Sequence, residues 1–302
     1  MDNTSAPRLA PCNLSSASPP QNCTSSGSDF SLWLPLVYAL ISPGMKSVTN
    51  VFILNLAIAD DLFALVLPAS IAEHVLRRWP FGELACRAVL SIDHYNIFSS
   101  VYFVALMSAD RYAVVASALR SRRVARRTRG LAWALSACVW ALVVLLVAPF
   151  TFFAGMHVSP GDDRPSCVLT LPRPEAFWFA ATRIYTLMLS FVLPVSIICV
   201  LYGLMLCKLR RASGKALDKV KRKVTVMVSV VLAVCLLCWT PFHLSTVVAL
   251  TAELPNTPLL AGVSYFITCL SYANSCLNPF LYAFLDPSFR REFRKITASC
   301  TY

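Results

Sequence analysis

Asn274-Ser-Cys-Leu-Asn278-Pro279-Phe-Leu-Tyr282 sets two asparagines, a serine and a proline inside an otherwise apolar run of membrane-spanning length. In hydrocarbon, each unpaired polar group, and each backbone carbonyl freed by a proline, costs several kcal/mol unless protein or water satisfies it. The segment must therefore face other helices or a wet cavity. Lipid-facing positions could be filled with leucine at no such cost, so polar residues at this depth point to function.

The rest of the chain has the same character. Its 302 residues are 57% hydrophobic and 14% charged, with a mean hydropathy of +0.63, against about 45–50% and about 25% for soluble domains. This is the composition of a polytopic membrane protein. Mostly apolar runs near 49–76, 87–117, 131–154, 177–207, 223–251 and 258–285 are each long enough to cross a core of roughly 30 Å at about 1.5 Å per residue.

The net charge of +12 is placed for a membrane rather than for nucleic acid. Basic residues crowd the loop after the second run (Arg111 to Arg129), the loop before the fifth (Lys208 to Lys223) and the tail (Arg290, Arg291, Arg294, Lys295), and Lys46 precedes the first run. All lie on one side of the bilayer. The positive-inside rule makes that side cytoplasmic, with the C-terminus inside and the loops near 77–86, 155–176 and 252–258 outside.

Residues 1–29 are rich in Ser, Pro and Asn and carry glycosylation sequons at Asn3, Asn13 and Asn22, the pattern of a disordered extracellular tail. An outside N-terminus and an inside C-terminus require an odd number of crossings, so the six runs need a seventh. The remaining apolar stretch, residues 30–41, ends at Ser42-Pro43-Gly44 and reaches only about 18 Å as a helix. It fits a strongly mismatched or re-entrant helix better than a signal-peptide core, because no basic n-region precedes it. The expected organisation is a tail over 1–29, a helix bundle over 30–285, and an amphipathic helix with a short cytoplasmic tail over 286–302.

Cysteines divide by compartment. Cys86 and Cys167 both fall at the outer face, where disulfides persist, and a bond between them would tether the top of one span to the next outer loop. Cys12 and Cys23 could also pair. Cys138, Cys199, Cys207, Cys235, Cys238, Cys269 and Cys276 read as small residues within or at the ends of spans. Cys300, after a basic amphipathic segment, is a palmitoylation candidate.

Several polar residues could gather at one depth. Asp93, Asn96 and Ser100 are spaced to share a helix face; Asp60 lies midway in the preceding span, and Asn274, Ser275 and Asn278 midway in the last. A carboxylate among amide and hydroxyl oxygens, without lysine or histidine at that depth, suits a small hard cation such as Na⁺ better than a transition metal. The alternative is that Asp60 glues helices together through hydrogen bonds. Asp93, near the outer mouth, reads as a counter-ion for a cationic ligand group or as a structural partner of Tyr272. Arg111 beside Asp110 reads as an ion pair that a conformational change opens, or as a snorkelling arginine. Cys238-Trp239-Thr240-Pro241-Phe242-His243 and Phe191-Val-Leu-Pro194 each carry a kinking proline, which favours an inward cavity or hinge. Trp239 and His243, four residues apart, share a face beside it, either as ligand contacts or as core residues.

Taken together, Leu56-Ala-Ile-Ala-Asp60, Asp110-Arg111-Tyr112, Trp140, Pro194, Cys238-Trp-Thr-Pro241 and Asn278-Pro-Phe-Leu-Tyr282, with Cys86 and Cys167, resemble a rhodopsin-like (class A) G-protein-coupled receptor in order, spacing and membrane side. Trp79-Pro-Phe-Gly-Glu, Asp93-His-Tyr-Asn-Ile-Phe-Ser-Ser100 and the run from Ala233 to Thr246 resemble the neuropeptide B/W receptors, relatives of the somatostatin and opioid receptors. The resemblance covers roughly residues 45–298. It implies an all-α membrane protein, a seven-transmembrane-helix bundle with a short C-terminal amphipathic helix, activated by a peptide and coupled to inhibitory Gi/o proteins. It further implies that Asp93 anchors a basic group of the peptide, with Tyr272, His243 and Trp239 lining the pocket, and that Asp60, Asn96, Ser100, Asn274, Ser275 and Asn278 form an allosteric Na⁺ site. Asp110, Arg111, Tyr112, Tyr202 and Tyr282 become the activation switch, and residues 286–298 lie along the inner leaflet against membrane lipids.

Two departures stand out. Cys235 occupies the position where the family usually has a phenylalanine of its packing switch. The usual first helix, with a Gly-Asn pair against the aspartate matched by Asp60, is truncated: residues 38–46 look like a splice into the first inner loop. A working receptor and a six-span, non-signalling product retained inside the cell therefore both follow. A transporter is disfavoured because no duplicated halves with interrupted helices are visible. No phosphate loop, metal-ligand cluster or catalytic triad supports an enzyme.

Overall fold

The computed structural model describes residues 48–119, 129–158, 164–210, 215–252 and 257–285. The tail with its three sequons, the 30–41 stretch, Cys12, Cys23, Cys300 and the 286–298 segment lie outside the described residues.

The chain runs α1 (Val48–Leu76), α2 (Gly82–Leu119), α3 (Arg129–Phe153), β1 (Ala154–Val158), β2 (Pro165–Leu169), α4 (Glu175–Thr186), a π-helical turn (Leu187–Val192), α5 (Leu193–Arg210), α6 (Lys215–Thr251) and α7 (Pro258–Leu285). α4, the π turn and α5 make one continuous span. Among the described residues, five segments are long and apolar enough to cross a bilayer: Val48–Leu76, Arg129–Phe153, Glu175–Lys208, Leu232–Thr251 and Pro258–Asn278. α2 carries more charge and is the hub, packing against α1, α3, α5, α6 and both strands. A helix surrounded on all sides needs no single apolar stripe, which is why its polar residues do not cluster toward solvent. Outward faces carry Leu65, Leu145, Val200 and Leu237 exposed, an apolar surface too large for water and suited to lipid.

The core is built where the helices converge: Phe52, Leu56, Phe103, Val104, Ile198 and Trp239 are buried in one cluster. Lipid tails are as apolar as leucine, so close packing and interhelical hydrogen bonds, rather than exclusion from water, hold this contact. Trp140 Nε1 donates to Asn55 Oδ1 at 2.9 Å, and Asn55 Nδ2 donates to the Val51 carbonyl at 2.7 Å. One asparagine thus ties α3 to α1.

Pro194 explains the π turn. The Leu193 N–H reaches back five residues to the Met188 carbonyl, and the next bond in that register, from residue 194 to Leu189, is missing because proline has no N–H. Tyr102 Oη of α2 supplies the missing donor to the Leu189 carbonyl at 3.0 Å.

The outer loop adds an element that the helical reading did not include, an antiparallel hairpin pairing Met156 with Cys167. Cys167 is bonded to Cys86 at the top of α2, as the outer-face placement of both cysteines suggested. Two further ties hold the hairpin: Glu73 Oε1 accepts from the Cys167 N–H at 2.8 Å, and the Trp79 N–H donates to the Pro165 carbonyl at 2.7 Å. Trp79 is buried against both half-cystines, and its Nε1 donates to the Gly82 carbonyl at 2.7 Å. Gly82 adopts φ +79°, a left-handed conformation that a side chain resists. Trp79-Pro-Phe-Gly82 is therefore a turn that starts α2 and seats the hairpin.

Candidate functional site

Two polar centres occupy the bundle, one at mid-depth and one near the outer mouth.

The mid-depth centre joins α1, α2 and α7. Asn96 Nδ2 donates to Asp60 Oδ1 at 3.2 Å and to Ser275 Oγ at 3.0 Å, Ser275 Oγ lies 3.3 Å from Asn96 Oδ1, and Asn278 Nδ2 donates to Asp60 Oδ2 at 2.9 Å. Pro279, next to Asn278, has no N–H to give the carbonyl one turn back, although the helix runs on to Leu285, and the Asn278 amide is buried among protein groups where lipid would have penalised it. Ser100 and Asn274 are buried, and the Ser100 hydroxyl has no hydrogen-bond partner. Of the six residues expected to gather here, four are joined directly; no hydrogen bond links Ser100 to them. The six residues offer one carboxylate, three amide oxygens and two hydroxyls, of which the Ser100 oxygen is buried and unpaired. That chemistry fits a small hard cation.

The outer centre is a cavity of about 510 Å³ walled by α1, α2, α3, α4, α6, α7 and the hairpin. Asp93 enters from α2, Trp239 and His243 from α6, and Tyr272 from α7. Three of these residues carry a buried polar atom with no hydrogen-bond partner: Asp93 Oδ1, Trp239 Nε1 and His243 Nδ1. Buried polar atoms are nearly always paired, so three orphans around one space mark a site shaped for something else. His243 stacks on Phe191 at 4.6 Å, and Trp239 meets Phe242 edge-on at 5.9 Å. The Tyr272 ring packs on Phe63 at 4.8 Å, and Asp93 Oδ1 has no hydrogen-bond partner. A smaller cavity of about 350 Å³, lined by Glu73, His74, Arg77 and Arg78, meets the first at Leu90, Asp93 and Tyr272.

At the inner end, an Arg111 guanidinium nitrogen donates to Thr49 Oγ1 of α1. Lys208 Nζ sits 4.4 Å from the centre of the Tyr112 ring, and the Tyr202 hydroxyl accepts from Ser229 Oγ at 3.4 Å. Asp110 lies beside Arg111 on α2. Tyr282 belongs to α7; its side chain lies outside the described residues. The three inner contacts tie α2 to α1, α2 to α5, and α5 to α6.

Sequence reasoning missed Asn55, Glu73, Phe63, Phe150 and Arg183. Asn55 carried a signal, a second amide five residues before Asp60 in an apolar run. Arg183 carried one too, a cation within the fourth apolar run. Phe63 and Phe150 had none.

Comparison with known proteins agrees with this architecture. Residues 34–282 match the family described as "7 transmembrane receptor (rhodopsin family)". The mouse neuropeptides B/W receptor type 1 is 60% identical over 268 residues, 87% of this chain and 81% of that one. The human type 2 receptor is 62% identical over 265 residues, 86% and 79% of the two chains. The human type 1 receptor is 52% identical over 323 positions spanning 98% of each chain. Those 323 positions exceed the 302 residues here, so that relative carries residues with no counterpart in this chain.

Proposed function

The chain belongs to the rhodopsin family of seven-transmembrane receptors, a family of receptors rather than enzymes, and on that premise we propose that it is a multi-pass plasma-membrane receptor for a neuropeptide of the B/W kind, signalling through inhibitory Gi/o proteins. What carries the reading is the outer cavity, where Asp93 Oδ1, Trp239 Nε1 and His243 Nδ1 are buried and unpaired around one space. A peptide brings the missing partners. Its basic group or N-terminal amine pairs with Asp93, and its other polar groups meet His243, Trp239 and Tyr272. A desolvated carboxylate is costly alone and favourable once paired, which makes Asp93 the anchor.

Activation is a population shift. An agonist opens the inner end only as far as it binds the open state better than the closed one, and a bound G protein tightens agonist binding by the same factor. The contacts of Arg111, Tyr112 and Tyr202 are the ones that would rearrange, with Asp110 and Tyr282 beside them, and the basic inner loops would meet the G protein. Na⁺, held by Asp60, Asn96, Ser100 and Ser275 with Asn274 and Asn278 around them, would favour the closed state by joining α1, α2 and α7. The N-terminus is extracellular and glycosylated at Asn3, Asn13 and Asn22; the C-terminus is cytoplasmic, with its amphipathic segment and a palmitoylated Cys300 on the inner leaflet.

A second reading rests on the 12-residue apolar stretch at 30–41, short of the bilayer by roughly 12 Å: a six-span product that stays inside the cell. A glycosidase mobility shift on the expressed full chain, with surface labelling of the tail, separates the two. The receptor reading expects a shift and a surface signal; absence of both assigns the chain to the second. Asp93→Asn then tests the anchor, with agonist potency expected to fall at least tenfold and an unchanged potency removing Asp93 from the role.

A further inference from the structure

The outer cavity holds a cation as well as a carboxylate. Arg183, on α4, lines it and is half-buried; its guanidinium carbon lies 5.1 Å from the centre of the Phe179 ring, one turn away on the same helix. Among the described residues no carboxylate comes within ion-pairing distance of Arg183. A face-on aromatic contact attracts a guanidinium but satisfies none of its five N–H donors. Neighbouring His94 offers no negative charge: it stacks on Phe150 at 3.9 Å, and its Nδ1 is 2.7 Å from the Leu90 carbonyl. A carbonyl only accepts, so Nδ1 donates.

A guanidinium at membrane depth without a counter-anion is expensive, and lysine or arginine in such places usually pairs with a carboxylate or serves a ligand. Arginine's planar fork matches a carboxylate with two parallel hydrogen bonds, a geometry neither lysine nor an aromatic contact reproduces. The same cavity is lined from α2 by Asp93, whose Oδ1 is unpaired. Both charges line one cavity, and among the described residues neither has an ionic partner, the other included.

We propose that Arg183 is a specificity-determining residue that binds a carboxylate of the peptide ligand, so that with Asp93 it makes the cavity a dipolar site for a ligand bearing both signs of charge. This rests on the receptor reading and adds the second polar requirement to it. The carboxylate is supplied by the peptide's C-terminus or by an acidic side chain; both present the same planar anion to the guanidinium.

The test is competition binding on the full-length chain in cell membranes, with synthetic neuropeptides B and W as probes, each as the free acid, as the C-terminal amide, and with any acidic side chain replaced by its amide. Wild-type affinity should fall about tenfold or more for whichever neutralised peptide lacks the recognised carboxylate, and which peptide loses affinity identifies the source. Arg183→Gln should weaken the free acid by a similar factor and leave that neutralised peptide unchanged, while Arg183→Lys recovers part of the loss. Should Arg183→Gln fail to reach the surface, the wild-type comparison of acid and amide decides alone. Equal affinity of wild type for all peptide forms, or an equal loss for all forms in Arg183→Gln, overturns the inference and leaves the receptor reading intact. No binding of any probe to the surface-expressed wild type overturns both.

Discussion

Asn278 Nδ2 donates to Asp60 Oδ2 at 2.9 Å across a sequence separation of 218 residues, closing α7 onto α1. The side chain that makes this bond is the one for which lipid gives no tolerance, and its partner is the only carboxylate in the mid-depth cluster. The bond makes the Asp60 charge the centre of any ion response. Agonist binding to the wild type should weaken as NaCl replaces choline chloride at constant ionic strength. In Asp60→Asn the salt dependence should vanish while the bundle still folds, because an amide keeps a hydrogen-bonding oxygen at the site. A retained Na⁺ effect in that variant would exclude the cluster as the cation site.

The Trp140 to Asn55 bond is predicted to act as a unit. Trp140→Phe and Asn55→Leu should each lower thermal stability by about 1 kcal/mol, the scale of interhelical hydrogen bonds in membranes, and the double variant should cost little more than either alone. Strict additivity in detergent melting would show the two side chains to be uncoupled.

Tyr102→Phe removes the donor to the Leu189 carbonyl without changing ring packing. The loss should be about 1 kcal/mol, because a part-buried carbonyl loses its donor. Leu193 cannot compensate, since its N–H is engaged at Met188. Melting curves of the two proteins check it, and identical midpoints would mean that the π turn finds another donor.

At the outer face, Gly82→Ala should cost about 1–2 kcal/mol from its φ of +79°, although a methyl group there meets nothing within 4 Å. The damage is conformational rather than steric. Cys86→Ser opens a tether spanning 81 residues and should cost about 2–5 kcal/mol. Both variants loosen the hairpin over the cavity and should lower peptide affinity, measured by binding at temperatures where each remains folded; an unchanged affinity in both would separate the hairpin from the ligand site.

Much of this molecule was readable from its residues because lipid allows so few arrangements. The run near 131–154 is long and apolar enough to read as a span, and Asp60, Asn96, Ser275 and Asn278 are polar groups at one depth in lipid, where each needs a partner. The outer hairpin was not readable: Ala154-Gly-Met-His-Val158 shows no strict alternation, and its strand pairing depends on the Cys167 tether and on Glu73, both distant in sequence. The π turn was hidden for a similar reason. Pro194 announces that a carbonyl is freed, yet which one, and that Tyr102 would answer it, follows from the approach of α2. Asp93 was expected near the outer mouth, but that its Oδ1 is unpaired and that the Tyr272 ring lies against Phe63 depend on how α1, α2 and α7 meet, which no local stretch of sequence encodes.

The π turn at Leu187–Val192 is also a clutch between two halves of one span. One residue beyond the ordinary helical count turns everything before it by about 100° relative to everything after it. α5 keeps its face toward α2 while α4, above the slip, presents Phe179, Thr182 and Arg183 to the cavity. Deleting a single residue between 187 and 192 would therefore leave the inner half engaged and rotate the outer half by that angle, exchanging the residues offered to a ligand for those now offered to lipid.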